Sequence, residues 1–388
     1  MVKRAPNSTD GRPGAAPFRV TFVASTLAVG GAETMVREYA LRMDRRRFAP
    51  SVVCLRSPGR IGEELAAQGV PVVSDVASSR LDVYGLRRLR AVLRRQRAQV
   101  VVCLDHRNAM TVGVVASLGV ARKRLVTVHS TRLWSGRKIL GGSVACSMRF
   151  VDRVIAVGRN QAKYLVEEEG VRPDRIAVVP NGINAAEFEA GTDSVELRAS
   201  LGLTPDSPVV GIVAVLRPEK NHELFLEAAS RVAKKVSGVR FLVVGGGRRQ
   251  QVLERLASGL GIADVVRFLG ERSDGRSLIR AFDVAVLCSH PVVETLPVFV
   301  MEAMAWGKPV VSTRVGDVDS LVDDGVTGIL VPPGSVDQLA GAIVRLLTDR
   351  EAAREMGRRG REKVVSEFSL GRSVSALEDL IEGELSKQ

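Results

Sequence analysis

The sequence predicts an α/β protein with two domains, each built on a parallel sheet. Short apolar runs alternate with segments of helical periodicity along most of the 388 residues, a pattern typical of parallel sheets with crossover helices. The length allows two domains of ordinary size, each with its own core. The stretch 181–207 is polar and interrupts the alternation. We therefore expect one domain on each side of it.

Six strands are predicted in each half, and helical segments separate most of them. The strands of the first half cover residues 18–24, 50–55, 70–73, 99–104, 124–129 and 152–158; those of the second cover 208–216, 239–245, 265–270, 283–288, 308–313 and 327–332. The resulting boundaries are a disordered leader (1–17), a first domain (18–182), a linker (183–206), a second domain (207–367) and a final helix (368–388). We expect that helix to pack back towards the first domain.

Composition excludes several classes of protein. With 45% hydrophobic and 26% charged residues, the chain resembles soluble globular proteins. No apolar run approaches the roughly 20 residues that span a bilayer, and the basic N-terminus lacks the apolar segment of a signal peptide. The four cysteines are far apart and show no metal-binding or disulfide spacing, so we expect reduced core thiols in a cytoplasmic protein.

Positive charge is concentrated in the first half. Residues 1–180 carry 31 basic and 14 acidic side chains, whereas residues 181–388 carry 25 and 29. The densest segment, Arg80–Arg97, has seven arginines around leucines at helical spacing. Two interpretations stay open: a solvated helix face, or a surface that contacts an anionic membrane or acceptor. Nucleic acid is disfavoured, because only three Tyr and two Trp are available for base stacking.

Two carboxylates flank a predicted helix start in the second half. Glu294 lies in the loop after a predicted strand, Pro297 favours the first helical position, and Glu302 falls in the second turn. Free amides at the start of a helix favour an anion. Acids on both flanks of such a site suggest a ligand with hydroxyl groups around a phosphate, and a sugar nucleotide fits that description.

Other polar residues follow predicted strands in the first half. Gly30 and Gly31 precede a helix, where the glycines would let a ligand approach the backbone; a plain turn is the alternative. The segment is not the G-x-G-x-x-G fingerprint, so a nicotinamide cofactor is disfavoured. His129 ends a predicted strand at the ligand-binding edge of the first sheet, where it would be either a polar contact or a catalytic base. His106, one strand earlier, is a weaker candidate for the same roles.

Cations follow the first strand of the second half. Arg217 and Lys220 stand between that strand and a helix. A diphosphate suits them, because Arg can chelate phosphate oxygens and Lys supplies a point charge; a solvated turn is the alternative. Gly245, after the next strand, is interpreted mainly as part of a tight connection that also allows nucleotide contact.

Together these motifs resemble the family 4 retaining glycosyltransferases, which have the GT-B fold of two Rossmann-like domains facing each other across a cleft. The E-x7-E segment is the most specific match, and all the motifs keep the family's order over roughly residues 18–366. The matching segments are GGAE, VTVH, VIAV, VVPNGIN, VLRPEKN, VVGGG, RFLG and ETLPVFVMEAMAWGKPVVST.

The resemblance implies a role for each matched residue. Gly31, through its amide, and the pair Arg217 and Lys220 would hold the donor diphosphate, and Glu302 would take the ribose hydroxyls. The remaining residues would face the donor sugar: Glu294, the backbone of Thr295, Leu296 and Pro297, and His129 near the reacting carbon.

The chain departs from the family pattern at three places. The first is the Glu294-Thr295-Leu296-Pro297 segment, where the family often has glycine after the first Glu. The second is Gly316-Asp317-Val318-Asp319, in place of GG-x-x-E, and the third is Gly158, where serine is common. The phosphate cations and the paired acids are all retained.

The resemblance implies a retaining hexosyl transfer from a nucleotide sugar to a cell-surface glycan, lipid-linked saccharide or glycolipid. Developing charge on the leaving diphosphate would be stabilised by preorganised cations and helix-end amides. No Asp-rich metal motif is present, so we expect no metal or other cofactor. The alternatives are a sugar-nucleotide epimerase or a phosphorylase on the same fold, and a non-catalytic sugar-nucleotide-binding module.

Overall fold

A computed structural model describes most of the chain as two parallel sheets with helices on both faces. The described residues are 16–28, 30–78, 82–104, 107–131, 142–188, 194–291 and 294–387. Most of the predicted leader, together with Arg80 and His106, lies outside them. The expected α/β architecture with two parallel sheets is confirmed.

The first sheet has seven strands in the order β3-β2-β1-β4-β5-β6-β7, all parallel. They are β1 (Phe18–Ala24), β2 (Phe48–Cys54), β3 (Val72–Val73), β4 (Val100–Cys103), β5 (Lys123–Val128), β6 (Arg153–Ala156) and β7 (Ile176–Val178). The helices of this half are α1 (Gly31–Arg42), α2 (Gly59–Ala67), α3 (Val83–Arg95), α4 (Arg107–Ser117), α5 (Gly142–Ser147) and α6 (Arg159–Glu167).

The second sheet has six parallel strands in the order β10-β9-β8-β11-β12-β13. They are β8 (Val209–Val213), β9 (Arg240–Val244), β10 (Val266–Gly270), β11 (Val284–Leu287), β12 (Val310–Thr313) and β13 (Ile329–Val331). The helices from the linker onward are α7 (Ser194–Ser200), α8 (His222–Ala233), α9 (Gln250–Gly259), α10 (Gly275–Leu278), α11 (Val298–Ala305), α12 (Val318–Leu321), α13 (Val336–Thr348), α14 (Arg350–Glu367) and α15 (Leu370–Ser386).

One strand and one helix boundary differ from the prediction. β7 was not predicted, because its three residues are too few to show a pattern and its burial is only partial. Pro297 does not occupy the first helical position: it precedes α11 in an extended conformation, with φ −71° and ψ 115°. The predicted linker contains α7 and a 3-10 turn, Ala185–Phe188.

Apolar side chains cover both faces of each sheet. β4 is buried along its whole length and therefore reads as a continuous apolar run rather than an alternating one. Cys54, Cys103 and Cys288 are buried as expected, but Cys146 is exposed, which corrects its assignment to the core. No disulfide forms among these four thiols.

The chain passes between the two halves twice, at neighbouring positions. Ile183, after the first half, donates its N–H to Phe368 O at 2.9 Å and accepts from Leu370 N at 2.7 Å. A side chain at Gly182 would meet the backbone of Leu370 at 2.8 Å, so the two crossings are in close contact. Beyond this point α15 packs into the core of the first sheet through Leu370, Val374, Leu377, Ile381 and Leu385.

Candidate functional site

Two central strands of the second sheet bring distant charged residues together. β8 and β11 are neighbours, although β9 and β10 lie between them in the chain, so the strand order reverses at this pair. In open parallel sheets, ligands bind beyond the carboxyl ends of the strands at such a switch point. Lys220 follows β8 and Glu294 follows β11. Both therefore lie where this fold places a ligand.

Lys220 and Glu294 form a buried ion pair. Lys220 Nζ donates to Glu294 Oε2 at 2.6 Å, and Ser289 Oγ donates to the same oxygen at 2.7 Å. Burial raises the pKa of Glu294, but the charge and hydrogen bond of Lys220, with the Ser289 hydroxyl, outweigh it and hold the pKa below its ordinary value. The carboxylate is therefore ionised at neutral pH.

Glu302 has a different partner, Arg276 of α10. Arg276 Nε donates to Glu302 Oε1 at 2.5 Å, and Arg276 Nη1 donates to Glu187 Oε2 at 3.1 Å. Only 9% of the Glu302 side chain is exposed. Burial raises the pKa of Glu302 above its ordinary value even though the Arg276 guanidinium opposes that shift. The ionisation of this carboxylate therefore depends on Arg276.

The segment between the two acids contacts the first domain. Thr295 Oγ1 donates to His129 O at 2.8 Å, and Asn181 Nδ2 donates to Leu296 O at 3.3 Å. Pro297, the residue before α11, makes no side-chain hydrogen bond that caps this helix. Free N–H groups at this helix start favour an anion. The structure thus brings His129 and the Thr295–Pro297 segment together across the cleft.

The glycine turn before α1 lies close to the same helix start. A Cβ at Gly31 would come within 3.4 Å of Val298 Cγ2, at the first residue of α11. Gly30 precedes α1 without a capping side chain, and Thr34 Oγ1 donates to Gly30 O at 2.8 Å. The N-termini of α1 and α11 therefore approach each other from the two domains, with the Glu33 carboxylate beside Gly30 at the start of α1.

The surroundings of Arg217 and Gly245 give weaker support for a role in the site. The Arg217 side chain is 65% exposed and lies 3.8 Å from Glu219, so it stands at the edge of the site. Gly245 has a φ of +138°, and a Cβ there would lie 2.0 Å from Ala214 O. Its need for glycine is thus explained by the tight connection after β9 alone.

Three residues of this region were not assigned a role from the sequence. Arg276 binds Glu302, Asp317 accepts hydrogen bonds from the start of α6, and Gln161 donates to Val128 O and Ser130 O beside His129. The unusual acid at Asp317 was visible as a departure from the family pattern. Nothing in the sequence marks Arg276 or Gln161, because Glu302, Val128 and Ser130 are more than 25 residues away from them.

The described residues contain neither a cluster of potential metal ligands nor a helix that could span a membrane. No group of three or more His, Cys, Asp and Glu side chains is arranged to hold a metal ion in the part of the chain that the structure describes. Within the same residues, no helix is long and apolar enough to cross a membrane.

Solved structures match nearly the whole length of the chain. HepE of Anabaena, in a complex with UDP and glucose, aligns with a TM-score of 0.84 at 22% identity, over 94% of this chain and 100% of that one. The sucrose-phosphate synthase of Thermosynechococcus elongatus aligns with a TM-score of 0.79 at 19% identity, over 96% and 100%. At these identities the likeness concerns the fold, and it confirms the expected GT-B architecture.

Curated relatives match part of the chain. The D-inositol 3-phosphate glycosyltransferase of Nocardia farcinica is 36% identical over 217 residues, which are 54% of this chain and 48% of the relative. The enzyme of that name from Mycobacterium marinum is 36% identical over 209 residues, 52% and 43% of the two chains. The chain thus spans about half the length of the curated relatives it matches.

Two family models match consecutive parts of the chain. Residues 29–187 match Glycosyltransferase Family 4, and residues 193–363 match Glycosyl transferases group 1. The first match contains Gly30, Gly31 and His129, and the second contains both cations and both acids of the site. The chain therefore belongs to the family 4 glycosyltransferases.

Proposed function

We propose that the protein is a retaining glycosyltransferase that moves a hexosyl unit from a nucleoside-diphosphate sugar to an acceptor. The observation that carries the proposal is the Lys220–Glu294 pair at the switch point of the second sheet, beside the start of α11. Family membership and the names of the curated relatives support it.

Each part of the donor has a partner in this proposal. Lys220, Arg217 and the amides of the Gly30–Gly31 turn hold the diphosphate, with Gly245 beside the nucleotide. Glu302 accepts the ribose hydroxyls through the oxygen that Arg276 leaves unused. Glu294, the backbone of Thr295, Leu296 and Pro297, and His129 surround the sugar.

Charge grows on the diphosphate as the bond to the anomeric carbon breaks. Cations and helix-end amides fixed in advance stabilise that charge without reorganisation, so the proposed reaction needs no metal ion. We propose a front-face path, in which the departing phosphate helps to take the acceptor proton. A double displacement would require a second carboxylate across the bond at short distance, and Glu302 is already bound to Arg276.

Two substitutions test the assignment of the site. Lys220→Ala and Glu302→Ala are expected to abolish transfer while the far-ultraviolet circular dichroism spectrum stays that of the wild type. The matched controls are Lys163→Ala and Glu167→Ala, which alter an exposed ion pair on α6. Full activity in both site variants would overturn the assignment.

A thermal-shift screen identifies the donor. UDP-, GDP- and ADP-sugars are each added with EDTA present, and one nucleotide should raise the melting temperature selectively. UDP-glucose comes first, because HepE was solved with UDP and glucose. If a sugar nucleotide raises the melting temperature only when EDTA is left out, metal-independent binding is wrong.

The acceptor assay separates the rival functions. The panel contains lipid-linked saccharides, glycolipids, glycans and D-inositol 3-phosphate, the last because the relatives bear its name. Transfer to one of them supports the proposal. Turnover of the sugar nucleotide without any acceptor would indicate an epimerase, phosphate-dependent cleavage of a glycoside would indicate a phosphorylase, and binding without turnover would indicate a non-catalytic module.

We further propose that α3 contacts an anionic membrane at the cytoplasmic face, as an acceptor carried by lipid would require. Leu89 and Leu93 are buried in the core. The opposite face exposes the apolar side chains of Val83 (59%) and Tyr84 (76%). It also exposes four arginines: Arg87, Arg88, Arg94 and Arg95. Apolar side chains beside a basic stripe are typical of helices that lie on anionic lipid.

Charge reversal tests this contact. Changing those four arginines to Glu should weaken binding to phosphatidylserine-containing vesicles in a flotation assay. The control carries the same change of net charge at exposed arginines of the second half: Arg231, Arg255, Arg350 and Arg354. Arg90 is left intact, because it donates to the carbonyls of Ala116 and Leu118. Equal vesicle binding by both variants would contradict a role for α3.

A further inference from the structure

Asp317 of the second domain binds the start of a helix in the first domain. Its carboxylate accepts from Asn160 N at 2.8 Å and from Gln161 N at 3.1 Å, and Asn160 Nδ2 donates to Gly316 O at 2.9 Å. These N–H groups belong to the first turn of α6, which has no capping side chain of its own at Gly158. The helix is therefore capped from across the cleft.

The absence of a side chain at Gly158 makes this contact possible. A Cβ at Gly158 would lie 2.1 Å from Asp317 Oδ2 and 2.2 Å from Asp317 Cγ. The φ of Gly158 is −157°, which any residue adopts, so the requirement for glycine comes from space alone. Gly158 and Asp317 are thus complementary, because the Asp317 carboxylate occupies the space that a side chain at position 158 would fill.

On its other side, Asp317 holds the backbone next to Glu294. Asp317 N donates to Thr295 O at 2.8 Å. Gly316 has a φ of +56°, and a Cβ there would lie 2.5 Å from Glu294 O. Only glycine fits this turn, because an L side chain would be strained and would also collide with the backbone.

Gln161 carries the connection to the other side of the cleft. Its backbone N–H is held by Asp317, and its side-chain Nε2 donates to Val128 O at 2.7 Å and Ser130 O at 3.3 Å. These two carbonyls flank His129, whose own carbonyl accepts from Thr295 Oγ1 at 2.8 Å. Hydrogen bonds therefore form a closed ring through Asp317, Gln161, the His129 backbone and Thr295.

We propose that Asp317 is a positioning residue that sets Glu294 and His129 relative to each other when the domains close. It is not one of the residues proposed to hold the donor, and it acts through the backbone on both sides of the cleft. The inference rests on the proposed function for its catalytic consequence. The link between the domains is independent of that function.

Removing the carboxylate should lower turnover more than donor binding. We expect Asp317→Ala to reduce kcat by about 10- to 100-fold, because small misplacement of reacting groups costs factors of this size. The Kd of the donor nucleotide should stay within about twofold, since the proposed diphosphate and ribose contacts are made by other residues. The control is Asp319→Ala, which removes an exposed acid two residues away.

A double variant separates positioning from helix stability. In Gly158→Ser/Asp317→Ala the serine has room and can cap α6 locally, as serine does at this position of a helix. Hydrogen exchange at the Asn160 and Gln161 amides should accelerate in Asp317→Ala and slow again in the double variant, whereas kcat should stay low. Recovery of kcat together with amide protection would overturn the proposal, because helix capping would then explain the whole effect.

A third readout does not depend on catalysis. Small-angle X-ray scattering should give a larger radius of gyration for Asp317→Ala and the double variant than for the wild type and Asp319→Ala. If the wild type transfers no sugar, the proposed function is wrong. The scattering and hydrogen-exchange measurements still test whether Asp317 links the two domains. Unchanged scattering and unchanged kcat in Asp317→Ala would sink the inference itself.

Discussion

Lys220 and Glu294 are 74 positions apart in the chain, yet Lys220 Nζ lies 2.6 Å from Glu294 Oε2. They meet because β8 and β11 are adjacent in the sheet and both loops leave its carboxyl edge. The pair is largely buried, with 28% of the Lys220 side chain and 10% of the Glu294 side chain exposed. Its ionisation therefore affects the stability of the protein.

We expect Lys220→Met to lower the free energy of unfolding at neutral pH by about 3 kcal/mol, because it leaves a buried carboxylate unpaired. In the wild type the pKa of Glu294 is lower in the folded protein than its ordinary value of 4.5. The carboxylate therefore contributes stability above pH 4.5, and this stability is lost as the pH falls through the pKa of the folded state. Without Lys220, burial raises that pKa, and protonation relieves the cost. The difference from the wild type should therefore shrink between about pH 7 and pH 4 in urea titrations. A difference independent of pH would show that Glu294 is not the group responsible, and Lys163→Met is the exposed control.

Arg276→Gln should make nucleotide binding sensitive to acid. Burial already raises the pKa of Glu302 and Arg276 opposes this, so loss of the guanidinium raises the pKa further. The ionised form of Glu302, which we propose accepts the ribose hydroxyls, should then be lost at a higher pH than in the wild type. Calorimetric titration with UDP from about pH 8 to pH 5 should show the affinity of the variant falling first. The control is Arg314→Gln, at an exposed arginine paired with Asp319 and Asp324; parallel profiles for Arg276→Gln and the wild type would contradict the assignment.

His222 should contribute a separate dependence of stability on pH. Burial, with the charges of Lys220 and Arg249, lowers the pKa of His222 from 6.5 to about 4. Between pH 6.5 and about pH 4 this histidine is therefore protonated in the unfolded chain but neutral in the native protein. The free energy of unfolding should fall by about 3 kcal/mol over this interval because of this group. Urea titrations of His222→Gln should show a smaller loss over this interval. An unchanged slope in His222→Gln would show that another group is responsible for the loss.

The packing of β8 predicts a strong effect of one methyl group. A Cβ at Gly211 would lie 2.2 to 2.4 Å from three ring atoms of the buried Phe282. We expect Gly211→Ala to destabilise the protein by about 2 kcal/mol or more in chemical denaturation, because a packed core cannot absorb this volume. Gly341→Ala, on α13 where nothing lies within 4 Å of the added Cβ, should instead stabilise by up to about 1 kcal/mol. Partial rescue by Gly211→Ala/Phe282→Leu would assign the loss to the ring.

Much of the fold could be predicted because buried parallel strands appear as continuous apolar runs. β4 and β11 are examples: each is four residues long and buried throughout. β7 escaped prediction because it is three residues long and its last residue, Val178, is 40% exposed. The helix start at Pro297 was placed one residue too early, since proline is compatible both with the first helical position and with the extended residue before it.

The candidate site was predictable only where a residue type matched a local motif. Four residues lie in sequence motifs whose type and order indicated a role in the site: Glu294, Glu302, Arg217 and Lys220. Arg276 and Gln161 act on atoms 26 and 33 positions away, and pairing at that range depends on how the sheets bring their loops together. Gly158 and Asp317 looked like two unrelated departures, although they are one contact in three dimensions.

The paired crossings at Ile183 and Ser369 limit how the two domains can move. One connecting segment would leave the domains free to swivel about several axes. Two connections joined by backbone hydrogen bonds resist twist and sliding, and they leave one easy rotation about a line through the pair. Any opening and closing of the cleft would then follow a single arc, and each closure would return the facing edges to the same alignment.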